Sequence, residues 1–124
     1  MTQYHDSIES RNAGITYHLV PEPVWERSRQ AATYVPEAYD QDGFIHCTNG
    51  TDQLVDVANL FYANDPRPFR VLVLNIGSIE SEVRYDDPDQ VFPHIYGPLN
   101  TSAVRGELAV RRDHSGAFLS IEPE

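Results

Sequence analysis

Lysine is absent from this 124-residue sequence, and cysteine, methionine and tryptophan occur once each. Without lysine no side-chain amine is available for Schiff-base chemistry, and all nine basic residues are arginines. The single cysteine, Cys47, excludes an intramolecular disulfide and with it the cross-linked scaffold of small secreted proteins. Long apolar runs are also missing, and none approaches the ~20 residues of a membrane-spanning helix. Met1–Asp6 lacks the basic and apolar blocks of a signal peptide. A soluble cytoplasmic protein without a membrane partner is the expectation. Positive charge is scarce: nineteen acids against nine bases give a net charge of -10 and a pI near 4.7. Such a surface repels phosphate backbones and disfavours nucleic acid as a partner. A local arginine can still take a small phosphate bidentately.

Hydrophobic residues make up 40% of the chain, enough for one core at this length and too few for two. Residues 1–13 are polar and read as a mobile, irregular arm, and 14–124 as a single globular domain. Ile15–Val20 alternates as a strand, with Ile15, Tyr17 and Leu19 on one face and Thr16, His18 and Val20 on the other. Pro21 and Pro23 stop it, and Val24–Ala32 reads as a short helix. Thr33–Asp42 reads as a loop able to act as a lid. Gly43 then releases a strand through Thr48. Leu54, Val57, Ala58 and Phe61 recur at helical spacing, which predicts an amphipathic helix over Thr51–Tyr62, with Phe61 in the core and Asp52 and Gln53 serving its first turn. Phe69–Ile76 is the most apolar run and suits a central strand. Val83–Tyr85 reads as a short strand. Val91–Tyr96 is extended, and Pro93 and Pro98 confine it to an edge or a site loop. Ala103–Val110 and Ala117–Ile121 read as strands joined by a turn at Asp113–Gly116. The fold class is α+β, with a mixed, mostly antiparallel sheet and two helices.

Three histidines stand in apolar, aromatic surroundings: Tyr17-His18-Leu19, Phe44-Ile45-His46-Cys47-Thr48 and Phe92-Pro93-His94-Ile95-Tyr96. Imidazole titrates nearest neutrality and is also the commonest metal ligand. A lone histidine of this kind is usually a satisfied core or edge residue. Three together point to His18, His46 and His94 lining one small-molecule cleft as its catalytic groups. Strand alternation sends Ile45 and Cys47 inward and His46 and Thr48 towards that cleft. Cys47 is then a small buried hydrophobe rather than a nucleophile. Phe92, His94 and Tyr96 share a face and would form a stacking wall. Asp86, Asp87 and Asp89 lack the spacing and glycine of a calcium loop and read as a solvated turn. No paired cysteines, glycine-rich phosphate loop, His-Glu-x-x-His or Gly-x-Ser-x-Gly is present.

The blocks Tyr17-His18-Leu19, Asp42-Gly43-Phe44-Ile45-His46-Cys47-Thr48 and Val91-Phe92-Pro93-His94-Ile95-Tyr96-Gly97-Pro98-Leu99 resemble an uncharacterised bacterial family, domain of unknown function 952, from about Thr16 to Val110. That family is distantly similar to the ADP-ribosyltransferase and RNA 2'-phosphotransferase superfamily. The resemblance implies a split antiparallel sheet and a pocket for NAD, as substrate, or for another ADP-ribose-containing nucleotide. His18 matches the superfamily's first-strand histidine, and His46 with Thr48 its second-strand motif. His94 falls near the third position, where transferases carry a glutamate; Glu107 lies later as a substitute. On this reading Tyr17, Thr48, Tyr96 and Tyr34 contact the nucleotide. Two other functions stay open: a non-catalytic small-ligand or interaction module, and a three-histidine metal enzyme, although no metal is expected because the histidines lack the close pairing of strong metal motifs.

Overall fold

A computed structural model describes residues 5–123. In chain order the elements are α1 (His5–Asn12), β1 (Ile15–Pro21), α2 (Glu22–Ser28), β2 (Thr33–Tyr34), α3 (Tyr39–Asp42), β3 (Ile45–His46), α4 (Thr51–Phe61), β4 (Phe69–Asn75), β5 (Glu82–Tyr85), β6 (Pro93–Tyr96), β7 (Leu99–Asn100), β8 (Val104–Arg112) and β9 (Phe118–Pro123). The class is α+β, and every strand pair among the described residues is antiparallel. A four-stranded sheet runs β1-β4-β8-β9, a three-stranded sheet runs β3-β6-β5, and β2 pairs with β7. As its apolar run requires, β4 is central in the larger sheet. The two larger sheets meet at Tyr17 and Thr48, whose backbones exchange N–H···O bonds of 3.0 and 2.9 Å.

One core fills the space shared by these sheets. Val20, Ile45, Leu72, Leu74, Ile95 and Leu99 are fully buried there, with Trp25 and Tyr34 almost so. Each of the aliphatic side chains contributes roughly 2 kcal/mol by leaving water. Phe69, Phe118 and Ala58 form a second cluster on the other face of β4, beneath α4. Arg112 closes that end: its guanidinium donates to the carbonyls of Tyr62, Ala63, Arg67 and Gly116 and lies 4.2 Å from the Phe118 ring centre.

Several expectations need correction. The irregular arm is a helix from His5 to Asn12, while residues 1–4 lie outside the described residues. The helix docks through polar atoms, so no hydrophobic period announces it. Ser7 Oγ donates to the Asn49 carbonyl at 2.7 Å and Ser10 Oγ to the Ile15 carbonyl at 2.5 Å. The α-helices number four among the described residues, not two: α1 is one addition, and α3, one turn inside the expected loop beside β2, is the other. The Gly43–Thr48 strand narrows to Ile45–His46 in its regular part, although Cys47 N–H still reaches the Pro93 carbonyl. β6 is the middle strand of its sheet despite Pro93; the proline sits at its first residue, where a missing N–H disturbs the ladder least. Phe61 is 69% exposed: the buried residues of α4 are Leu54 and Ala58, and it is the half-exposed Tyr62, just past the helix, whose ring packs on Phe69.

The start of α4 is not capped by its own side chains. Gly50, at φ +94°, is the N-cap, and the Asp6 carboxylate from α1 accepts the Asp52 N–H at 2.9 Å. A carboxylate there satisfies an orphan donor and complements the helix dipole. Asp6→Ala is expected to lower stability by about 1 kcal/mol, read as a shift in urea midpoint at unchanged slope.

Candidate functional site

The register of β3 on β6 sets His46 directly opposite His94 and Ile45 opposite Ile95. Alternation then decides the faces: both isoleucines are fully buried, and both imidazoles point the other way. The ring centroids lie 5.5 Å apart, at 72°. Each imidazole meets a carboxylate. His46 Nε2 is 3.0 Å from Asp42 Oδ2, and His94 Nδ1 is 2.9 Å from Asp86 Oδ2. That leaves Nδ1 of His46 and Nε2 of His94 for a ligand. Asp42 arrives through one helical turn that ends at Gly43, whose left-handed φ of +79° swings the chain into β3. Asp86 also accepts the Tyr96 hydroxyl at 2.5 Å. The Tyr96 bond and then His94 hold the Asp86 carboxyl below its ordinary range, and the same bond raises the Tyr96 phenol. Phe44 stacks on His94 at 4.0 Å and 16° and flanks His46 and Tyr96 at 4.7 and 5.4 Å. Arg84, paired with Glu82, lies 4.6 Å from the Tyr96 ring centre. The arrangement is two carboxylate-held imidazoles side by side under flat rings, suited to taking and giving protons in one step.

His18 does not join them. Alternation turns Thr16, His18 and Val20 into the core, and His18 is 4% exposed. Its Nδ1 is 2.6 Å from the His46 carbonyl, and its Nε2 is 2.7 Å from the Tyr34 hydroxyl. Burial pushes its pKa down to about 4, so the ring is neutral at pH 7. A carbonyl can only accept, so the single ring proton sits on Nδ1 and Tyr34 donates to Nε2. Tyr34 is itself buried, which raises its phenol. Thr48 is 3% exposed and serves the backbone seam with Tyr17. Tyr17 lies on the other face of β1, where burial and the Asp6 charge raise its phenol. Cys47 is buried, which pushes its thiol well above the ordinary range, as for a small apolar residue. Glu107 is held by the Arg29 guanidinium in the four-stranded sheet. No group of three His, Cys, Asp or Glu side chains able to hold a metal occurs among the described residues. Two surface depressions of about 310 and 320 Å³ lie elsewhere, between α2 and the Val35–Asp40 segment and between α4 and β9.

Residues 19–107 match the family described as "Protein of unknown function (DUF952)". The chain belongs to this family. His46 and His94 fall inside the span that defines DUF952, whereas His18 precedes it by one residue. Solved structures of protein CC0527 from Caulobacter crescentus have a similar fold. Its crystal structure is 19% identical with a TM-score of 0.70, over 85% of this chain and 93% of that one. Its solution NMR structure is 21% identical with a TM-score of 0.65, over 83% and 90%. No curated protein is significantly similar to the chain.

Of the seven residues picked from the sequence, this DUF952 chain gathers His46, His94 and Tyr96 on one exposed face. His18 and Tyr34 form a buried pair beneath it, and Thr48 and Tyr17 form the seam beside it. Sequence reading passed over Asp42 as loop and Asp86 as solvated turn. The i,i+4 spacing of Asp42 and His46 around a glycine was the available signal for the first. Asp86 had none, since β5 has to be placed first. The neighbouring Asp87 is a turn residue, accepting the N–H groups of Val91 and Phe92.

The buried ring makes stability depend on pH. Unfolded, His18 takes a proton near its ordinary 6.5; folded, it resists until about pH 4. The folded state binds fewer protons between those values, so stability is full above pH 6.5 and falls by about 3 kcal/mol down to pH 4. Urea unfolding of wild type and His18→Asn at several pH values should show that slope in the former alone. Tyr34→Phe, which leaves Nε2 unpaired in the core, should cost about 1–3 kcal/mol at pH 7.

Proposed function

We propose that the His46–His94 face binds an NAD- or ADP-ribose-type nucleotide and supports ADP-ribosyltransferase-like chemistry. The observation that carries this reading is the cross-strand pair of imidazoles, each held by its own carboxylate. The split antiparallel sheets and the sequence blocks around these residues support the superfamily assignment. The nicotinamide ring of NAD is a flat cation. Asp42 and Asp86 supply negative charge for it, and Tyr96 supplies a ring to lie against. In the transfer, one imidazole takes the acceptor's proton as the acceptor bonds to C1' of the ribose. The C1'–N bond breaks, and nicotinamide leaves with its electron pair. His46 and His94 are the catalytic residues on this reading, and His18 is a positioning residue acting through the His46 carbonyl.

Calorimetry should show saturable binding of NAD, weaker binding of NADH, whose ring carries no charge, and a loss of at least about tenfold in His94→Ala, the scale of a charged hydrogen bond. Chromatography of the mixture should detect free nicotinamide, reduced in His46→Ala. The exposed Leu60 and Phe61, 74% and 69% accessible, favour the second reading, an interaction module. No heat with NAD, ADP-ribose or NADH at millimolar concentration would leave only that one.

A further inference from the structure

We infer that Phe44 is a gate, and that in the free protein its ring fills the seat of a flat heteroaromatic ring of the ligand. The inference rests on the site reading above and adds the shape of what the site admits. The Phe44 ring lies face to face on His94, at 4.0 Å and 16°. It stands beside His46 at 4.7 Å and Tyr96 at 5.4 Å, so three rings border one flat slot that Phe44 occupies. The cover is uneven: the His46 side chain is 54% exposed and the His94 side chain 19%. Whatever lifts Phe44 therefore uncovers a face of the more hidden of the two imidazoles.

The backbone permits that movement. β3 begins at Ile45, so Phe44 stands before the ladder. Gly43 precedes it at φ +79°, with open space where a Cβ would stand. The chain is fixed on one side by the Gly43 N–H bond to the Tyr39 carbonyl and on the other by β3. Between those points, ring contacts hold Phe44 in place. A benzene ring stacked on imidazole contributes no hydrogen bond, so a ligand ring entering the slot replaces the stack without stranding a polar group.

The gate lowers apparent affinity by the fraction of molecules in which it is open. Removing one aromatic stack should therefore tighten binding by about 3- to 10-fold. The experiment compares wild type, Phe44→Ala and Phe44→Leu, the last keeping apolar cover without a flat ring. The probes are nicotinamide mononucleotide and ribose 5-phosphate, which lacks the ring, followed by proton–carbon NMR of the histidine Cε1–H groups. The expected result has three parts. In the free wild type the His94 signal is shifted upfield by the stacked ring, and the shift disappears in both variants. Nicotinamide mononucleotide binds both variants 3- to 10-fold more tightly. Ribose 5-phosphate gains nothing. Weaker binding of nicotinamide mononucleotide by both variants would overturn the gate while keeping the site, since Phe44 would then be a wall that the ligand stacks on. Silence of the His46 and His94 signals with both probes in all three proteins would overturn the gate together with the site.

Discussion

Two hydrogen bonds between the backbones of Tyr17 and Thr48 join the sheets, and the rest of the candidate site hangs on that seam. One residue on from Tyr17 and two back from Thr48, a side chain takes over from the backbone pairing. His18 Nδ1 donates to the His46 carbonyl, with Tyr34 completing the ring's second bond. A buried imidazole satisfied on both sides is stable only in one tautomer, so it fixes direction as well as distance. The His46 carbonyl is held by the buried ring, while strand alternation sends its side chain outward to face His94. The polar interior and the exposed pair are thus two consequences of one alternation.

The division between pair and support also orders the chemistry. His46 and His94 have a carboxylate each, an aromatic cover and access to solvent. His18 has no ring nitrogen to spare. An account in which all three imidazoles touch one ligand conflicts with where the strands send them. Two outward groups resting on a buried third reproduce the same sequence signal with a different distribution of work. The acidic surroundings of the pair fit the charge of the whole chain.

Much of the fold was legible in the sequence. The apolar run Phe69–Ile76 became the central strand, the Leu54–Ala58 spacing became α4, and the turn at Asp113–Gly116 joined β8 to β9. Strand alternation also turned His46 away from the buried Ile45 and set His94 with Tyr96. What stayed hidden was held by polar rather than apolar contacts. α1 docks through Ser7, Ser10 and Asp6 and shows no hydrophobic stripe. The buried face of β1 carries Thr16 and His18, so the period marked a strand without marking its inner side. Asp42 and Asp86 reach the imidazoles from short turns whose placement depends on the finished sheet.

The guanidinium of Arg112 gives the missing lysines a structural meaning. It serves carbonyls from two separate loops while its plane rests against an aromatic ring, a task for a flat, forked cation with donors on several sides. A tetrahedral ammonium on a single stem could not span both loops at once. An arginine-only repertoire therefore lets one residue splice the end of α4 to the far hairpin, and small domains with short connecting turns have few other ways to tie such distant corners together.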